Sequence, residues 1–267
     1  GIAGVSRNEV NAKGRIMREL DRTESASGKD IQVTIDTKLQ EFSMLRMGDL
    51  SASAVVVDIK NGDINVMAST PSFNPNSIVN GISNTDWNKL LENLKRPLSN
   101  KSVSDAYPPG SLFKMIVAIT ALENKVISEY EEIVCDGIYE TSASKHHCWL
   151  GSGHGKINLE KALKRSCDVY FYEIAKRVGI DAIAKTAKKF GLSQLFDLPV
   201  SAVSRGLVPD RAWKKSTYKE RWSLGDTLNA GIGQGYLLTT PLQIAIMTAR
   251  MVTGTALLPR LIKAKGG

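Results

Sequence analysis

Short apolar runs and changes of period divide the chain. Apolar and polar residues alternate from Ile31 to Ile35, which predicts a strand, and Asp36 stands where it can cap a helix from Thr37 to about Met47. Ahead of these, Asn8 to Leu20 is charged and weakly patterned, and Arg22 to Lys29 is a polar connector. Residues 1–50 read as a linker or pedestal and residues 51–267 as the main domain. Two β-branched runs, Ser53 to Ile59 and Ile64 to Ser69, flank Lys60-Asn61-Gly62-Asp63, a strong hairpin signal. A lone hairpin is unstable, so it needs further strands. A turn over Pro71 to Asn76, a capped helix from Ser83 to Leu94 and a loop from Pro97 to Ala106 follow.

Pro108-Pro109-Gly110 then stops the chain, and a helix begins with Leu112, Met115, Ile116, Ile119 and Leu122 as its predicted buried stripe. Ile133 to Lys156 is irregular and rich in Gly, Cys and His. Leu159 to Arg165, Val169 to Val178 and Asp181 to Phe190 are periodic enough for helices, Leu198 to Tyr218 reads as loop, and Thr240-Pro241 starts a last helix from Leu242 to about Val252. No internal repeat or low-complexity segment is visible.

With 267 residues, 42% of them hydrophobic, the chain can bury a substantial core. Its formal charge of +8 admits acidic polymers, anionic membranes or nucleic acid as partners. The cations read as scattered rather than interleaved with aromatics and no nucleic-acid motif occurs, so a solvated basic surface is expected and no nucleic-acid partner. No apolar run approaches the roughly 18 residues of a membrane span. The opening Gly1-Ile2-Ala3-Gly4 reads as the interior of something longer, so any anchor or export signal is expected upstream.

The candidate chemistry begins at Ser111 and Lys114, one helical turn apart behind the Pro-Pro-Gly stop. A helix start favours negative charge, and a desolvated neutral amine can take a proton from a serine hydroxyl. The spacing S-x-x-K also occurs at Ser142/Lys145 and Ser216/Lys219, both read as solvated loop. Ser166-Cys167-Asp168 breaks two helices, placing a second hydroxyl and a carboxylate where they can relay a proton or orient the amine. All three cysteines, Cys135, Cys148 and Cys167, fall within 33 residues together with His146, His147 and His154. A Cys135–Cys148 disulfide, unpaired buried thiols, and a Cys₃His zinc site of Cys135, Cys148, His154 and Cys167 are all open readings.

P-P-G-S-x-x-K, then S-x-D, then Gly231-Ile232-Gly233-Gln234-Gly235 with T-P-L-Q behind it, resemble the penicillin-recognising serine transpeptidases. The likeness is closest to the class B, elongation-type penicillin-binding proteins. It takes in Val33 to Asp36, Ser69 to Asn76, Cys148-Trp149, Gly153-His154-Gly155 and Gly225-Asp226-Thr227. It implies an α+β transpeptidase fold, a five-stranded antiparallel sheet beside an all-helical region with a cleft between. It implies that Ser111 attacks the penultimate D-Ala carbonyl of a peptidoglycan stem peptide, with Lys114 as general base, Ser166 and Asp168 assisting, and β-lactams acylating the same serine. Gln234, Gly235, Asp226 and Trp149 would bind substrate or line the cleft. The resemblance favours structural zinc at the cysteines and no organic cofactor. It further implies a periplasmic domain of an inner-membrane-anchored protein, partnered by a membrane glycan polymerase and a rod-shape scaffold. The family's Lys-Thr-Gly or Lys-Ser-Gly strand is absent from the sequence, so an incomplete sheet and impaired catalysis are expected. A carboxypeptidase or serine β-lactamase of the same fold, and a non-catalytic scaffold, are the alternatives.

Overall fold

The structure, a computed structural model, describes residues 1–142 and 144–263. Their contacts form two compact units. The first holds Gly1–Val33 and the described residues from Ile262 onward. In it β1 (Val5–Val10) and β2 (Ile16–Thr23) pair antiparallel, from Val5↔Thr23 to Val10↔Ile16. Sequence patterning missed this hairpin because both strands are exposed along their whole length, so no face alternates. The strand expected from Ile31 to Ile35 is reduced in this unit to one bridge, Val33↔Ile262.

The second unit, Thr34–Leu261, carries the candidate chemistry. Helix α1 (Thr37–Met47) is capped by Asp36, whose carboxylate accepts from the Leu39 N–H at 3.0 Å. β3 (Ala52–Val57) and β4 (Ile64–Thr70) form the predicted hairpin, paired from Ala52↔Thr70 to Val57↔Ile64. Burial alternates strictly along β4, whose inward residues include Ile64, Val66 and Ala68. The Gln40 side chain ties α1 to this sheet by bonding both the N–H and the carbonyl of Met67. Among the described residues the sheet stays two-stranded, extended only by backbone bonds such as Ile64 N–H to Arg260 O at 2.9 Å. The five strands implied by resemblance are therefore not all present. A small core of Ile64, Val103, Phe196, Leu198, Leu242, Ile246 and Leu261 lies under the hairpin.

The helical part begins with α2 (Pro75–Val79), in what read as a turn, and α3 (Asn84–Glu92), capped by Ser83. A 3-10 turn over Gly110–Phe113 runs directly into α4 (Lys114–Glu123). The stretch that looked irregular contains four short strands, β5 (Ile133–Cys135), β6 (Ile138–Glu140), β7 (Lys145–His147) and β8 (Gly155–Ile157), paired β5 with β8 and β6 with β7. Helices α5 (Leu159–Lys164), α6 (Asp168–Val178) and α7 (Ile180–Lys189) follow, as expected. Two more were not foreseen: α8 (Arg211–Tyr218), where loop was expected, and α9 (Leu224–Gly231). Both begin at polar caps, Asp210 and Ser223, and α8 takes in Ser216, which therefore lies in no loop. The last helix, α10 (Pro241–Thr253), starts in a capping box between Thr240 and Gln243.

The main core packs α4 between α6 and α7, around Phe113, Ile116, Val117, Phe171, Ile174 and Ile183. The buried stripe of α4 is thus Phe113, Ile116/Val117 and Thr120/Ala121, while the predicted Leu112 and Leu122 face outward at 49% and 41% exposure. Both stripes obey helical spacing, and the bulk of Phe113 with the smallness of Ala118 and Ala121 decides between them. Ile116→Ala is expected to cost about 2–5 kcal/mol of unfolding free energy by cavity formation, and Leu112→Ala less than about 1 kcal/mol. Urea titration of the two variants checks this, and equal losses would put α4 in the wrong rotation.

Candidate active site

Gly110, at φ +57°, takes a left-handed conformation that the two preceding prolines cannot. That turn leaves the Ser111 hydroxyl exposed at the start of an otherwise buried helix. A second chain segment fixes it from the side. The Gly110 N–H donates to Gly233 O at 2.9 Å, and a Cβ on Gly233 would fall 1.9 Å from Gly110 O. Only glycine fits there, which is the physical content of the G-x-G-Q-G stretch. Exposed Gln234 and Gly235 therefore follow directly from a residue locked onto the Ser111 turn. Tyr107 and Thr239 exchange two further backbone bonds at 2.9 and 2.8 Å. Sequence reading passed over these stitches, although the paired glycines signalled a close backbone approach.

Lys114 is 1% exposed, and its Nζ meets three acceptors: Ser166 O at 2.8 Å, Ser166 Oγ at 3.0 Å and Asp168 Oδ1 at 2.6 Å. Ser166 Oγ in turn lies 2.7 Å from Ser111 Oγ. The direct sharing of a proton between Ser111 and Lys114 expected from sequence is thus replaced by a bridge, with the Ser166 hydroxyl between them. Hydrogen bonds run from Lys114 through Ser166 to Ser111, and the same three atoms with reversed polarity can draw a proton inward from Ser111. Ser166 holds φ +51°, uncommon for a side chain with Cβ, and the bond from Lys114 to its carbonyl helps keep it there.

Cys167, between these two polar residues, caps α6 with its sulfur. It joins Cys135 from β5 and Cys148 and His154 from the following loop, the four ligand atoms all lying within 4.8 Å of one another. Cys135 Sγ and Cys148 Sγ each stand 3.5 Å from His154 Nδ1. Zinc bonds of about 2.3 Å to sulfur and 2.0 Å to nitrogen at tetrahedral angles place such atoms about 3.5 Å apart. The donor set and its spacing fit that ion, and all three thiols are free and buried, so no disulfide joins them. Burial, with the neighbouring sulfurs, pushes the Cys167 thiol far up. Burial also opposes the Cys148 thiolate, but N–H groups of Leu150, Asp168 and Val169 outweigh it and hold that thiol below its ordinary value. A dication at the centre is what would let the sulfurs ionise together.

Trp149 connects this cluster to the amine. Its backbone N–H donates to Asp168 Oδ2 at 2.9 Å, so the carboxylate spans Trp149 and Lys114. The indole N–H donates to Arg165 O at 3.0 Å and its ring meets His154 edge-on at 5.6 Å, which fixes a side chain that is 64% exposed. Asp226 is placed differently. Its side chain accepts from the N–H and hydroxyl of Ser223 and, at 2.6 Å, from Lys214 Nζ, so it completes the capping box of α9 opposite the Ser223 cap and is the counter-ion of Lys214 on α8. The structure does not join it to the Ser111 cluster. His146 and His147 stand on β7, outside the cysteine group.

Residues 52–266 match the family model described as the penicillin binding protein transpeptidase domain. The chain is 36% identical to the peptidoglycan D,D-transpeptidase MrdA of Haemophilus influenzae, covering 100% of this chain and 42% of that one. It therefore spans about two-fifths of the length of the curated relatives it matches. Penicillin-binding protein 2 of Helicobacter pylori, solved with MreC, superposes at a TM-score of 0.86 with 33% identity, over 99% of this chain and 50% of that one. A chain of a peptidoglycan synthase complex, described as coordinating polymerization and crosslinking, superposes at 0.79 with 30% identity, over 98% of this chain and 48% of that one. No helix among the described residues is long and apolar enough to cross a membrane.

The Asp226 carboxylate, in the capping box of α9, has a testable pH signature. Burial opposes its charge, but Lys214 and the N–H and hydroxyl of Ser223 outweigh it and hold the carboxyl below its usual range. A carboxyl lowered by folding stabilises at pH above about 4 and loses that contribution as pH falls through its folded value. Asp226→Asn should melt several degrees lower at neutral pH, with the gap to the parent narrowing in acid. Thermal melts by circular dichroism across pH read this, and a gap independent of pH would deny the ion pair its role.

Proposed function

The chain belongs to the penicillin-binding protein transpeptidase domain family, and from that premise we propose that it cross-links peptidoglycan stem peptides through an acyl-enzyme on Ser111. The observation that carries the reading is the bridge Lys114–Ser166–Ser111, with a buried amine at one end and an exposed hydroxyl at the other. Ser111 Oγ attacks the penultimate D-Ala carbonyl while its proton passes to Ser166 Oγ and the Ser166 proton passes to the Lys114 amine. The Ser111 N–H, free at a helix start, takes the developing oxyanion. The C–N bond then breaks, and the relay runs outward to protonate the departing D-Ala amine. An amine of a neighbouring stem peptide attacks the ester, gives up its proton along the same path and restores Ser111. β-Lactams stop at the ester stage. Asp168, braced by Trp149, orients Lys114, and the Trp149 indole with Gln234 and Gly235 walls the approach. The sequence has no Lys-Thr-Gly or Lys-Ser-Gly, so only one oxyanion donor is assigned.

Cys135, Cys148, His154 and Cys167 would hold a structural zinc, whose contribution is charge that keeps the thiolates together and no step of the reaction. Because Cys167 lies between Ser166 and Asp168 and Cys148 precedes Trp149, these ligands fix both halves of the relay. We assign the protein to the periplasmic face of the inner membrane. A rod-shape scaffold and a membrane glycan polymerase are its partners, supported by the MreC complex and the synthase complex of the relatives.

Two measurements test these assignments. Intact-mass spectrometry after penicillin treatment, on this chain and on a version extended by a relative's Lys-Thr-Gly strand, should show one adduct on the extended form and much less on the shorter. Ser111→Ala should abolish it and Ser166→Ala should slow it by about a hundredfold or more. An extended form without an adduct, or one that quickly hydrolyses the β-lactam, overturns the transpeptidase reading. Elemental analysis should give one zinc per chain, reduced in Cys135→Ser, with a lower melting temperature on chelation. Purified protein without stoichiometric metal overturns the zinc assignment.

A further inference from the structure

Four of the chain's cations, Arg211, Lys214, Lys215 and Arg221, stand with aromatic rings around α8 and the segment that follows it. Trp213, Tyr218 and Tyr236 touch pairwise, with ring centroids 5.2–5.6 Å apart. Beneath them Lys214 is buried by its pairing with Asp226, its Nζ lying 5.6 Å from the Tyr236 ring and 6.0 Å from that of Trp222. The Trp222 indole is itself fixed by a 2.8 Å bond to Thr227 Oγ1. Outside Trp222 opens a cavity of about 280 Å³ lined by Arg211, Lys215, Glu220, Arg221 and Trp222. Asp226 and Glu220 answer Lys214, and Asp181 stands 3.6 Å from Arg211. Lys215 and Arg221 are exposed, and among the described contacts neither faces a carboxylate. The cavity therefore has a rigid aromatic wall and a surplus of positive charge.

The same elements lead to the serine. Trp222 precedes Ser223, the cap of α9, and that helix is eight residues and so about 12 Å long. Its far end runs into Gly233, locked on Gly110, and Tyr236 then turns back to the rings of α8. The cavity is thus separated from the serine turn by the length of α9, a separation suited to a polymer that engages both.

We propose that the cavity walled by Trp222 and rimmed by Lys215 and Arg221 is an outlying subsite for an acidic glycopeptide polymer, stacking a saccharide ring on the indole and pairing stem-peptide carboxylates with the two cations. This rests on the transpeptidase reading for the identity of the polymer. Sugar faces pack well on fixed aromatic rings, and exposed charge pairs add modest, salt-sensitive affinity. The subsite retains the strand while the acyl group is exchanged at Ser111.

The test compares the 267-residue chain with its Lys215→Glu/Arg221→Glu and Lys215→Arg/Arg221→Lys forms. Sedimentation with uncross-linked glycan-peptide strands is run alongside a polyphosphate of similar charge, with circular dichroism confirming that each form is folded. The parent should bind the strands, the charge-reversed form about tenfold or more weakly, and the charge-conserving form like the parent. Amidating the strand carboxylates should erase the difference. Undiminished binding by the charge-reversed form, no binding by the parent, or tighter binding of polyphosphate than of glycopeptide overturns the proposal. Penicillin adducts on the extended form report separately on Ser111, so either reading can fail without the other.

Discussion

An amine can be buried at 1% exposure only where its protons find acceptors, and one tripeptide, Ser166-Cys167-Asp168, supplies three for Lys114. That requirement organises the helical half of the chain. The break between α5 and α6 must lie against α4, so the three helices pack around it and the core forms on their remaining faces. Ser166 accepts a left-handed backbone because a carbonyl, a hydroxyl and, two residues later, a carboxylate must converge on one nitrogen. The amine's bond to the Ser166 hydroxyl extends this buried network to the exposed Ser111 hydroxyl.

The carboxylate is constrained from its other side as well. Asp168 Oδ2 takes the Trp149 N–H, and Trp149 lies next to Cys148 in a loop with little core of its own. Nothing in the periodicity of residues 133–156 would hold such a loop, because its strands are three residues each and pair only two by two. Four converging ligand atoms answer that deficit. A metal held by them would act on Lys114 through two bonds, Trp149 N–H to Asp168 and Asp168 to the amine.

The legibility of the sequence followed where burial leaves a periodic mark. The β3–β4 hairpin could be read because β4 alternates strictly and Asn61-Gly62 marks the turn. The helices α5, α6 and α10 could be read from their caps and apolar faces, and α7 from its apolar face alone. The β1–β2 hairpin left no such mark, being exposed on both faces, and α8 is polar in composition with a lysine as its buried residue, so its Asp210 cap and its short apolar face were passed over. At the site, Ser111, Lys114, Ser166 and Asp168 were recognisable as residue types in order. Their connection was not, because a one-turn spacing into α4 suggests a direct contact that the fold makes through Ser166, in the break between α5 and α6. Asp226 shows the reverse case: a carboxylate in a familiar tripeptide has its bonds in the capping box of α9 and the pairing with Lys214, neither of which the tripeptide announces.

The placement of Ser111 depends on pairings that are remote in sequence. Its turn is held by Gly233 against Gly110, and by Thr239 against Tyr107, 132 residues away. Loops of that length add little to the entropy of closure for each further residue, but the whole cost falls due before the contacts form. Local helix formation can therefore bring Lys114 into α4 early, whereas the exposed end of the relay is complete only when α9 and α10 have docked. The glycines matter at that last stage. A Cβ at Gly233 meets a backbone carbonyl, which cannot rotate aside as a side chain would, so the turn would have to move and carry the Ser111 hydroxyl with it. The position of Ser111 is thus set less by the helix behind it than by a strip of backbone that arrives from the other end of the chain.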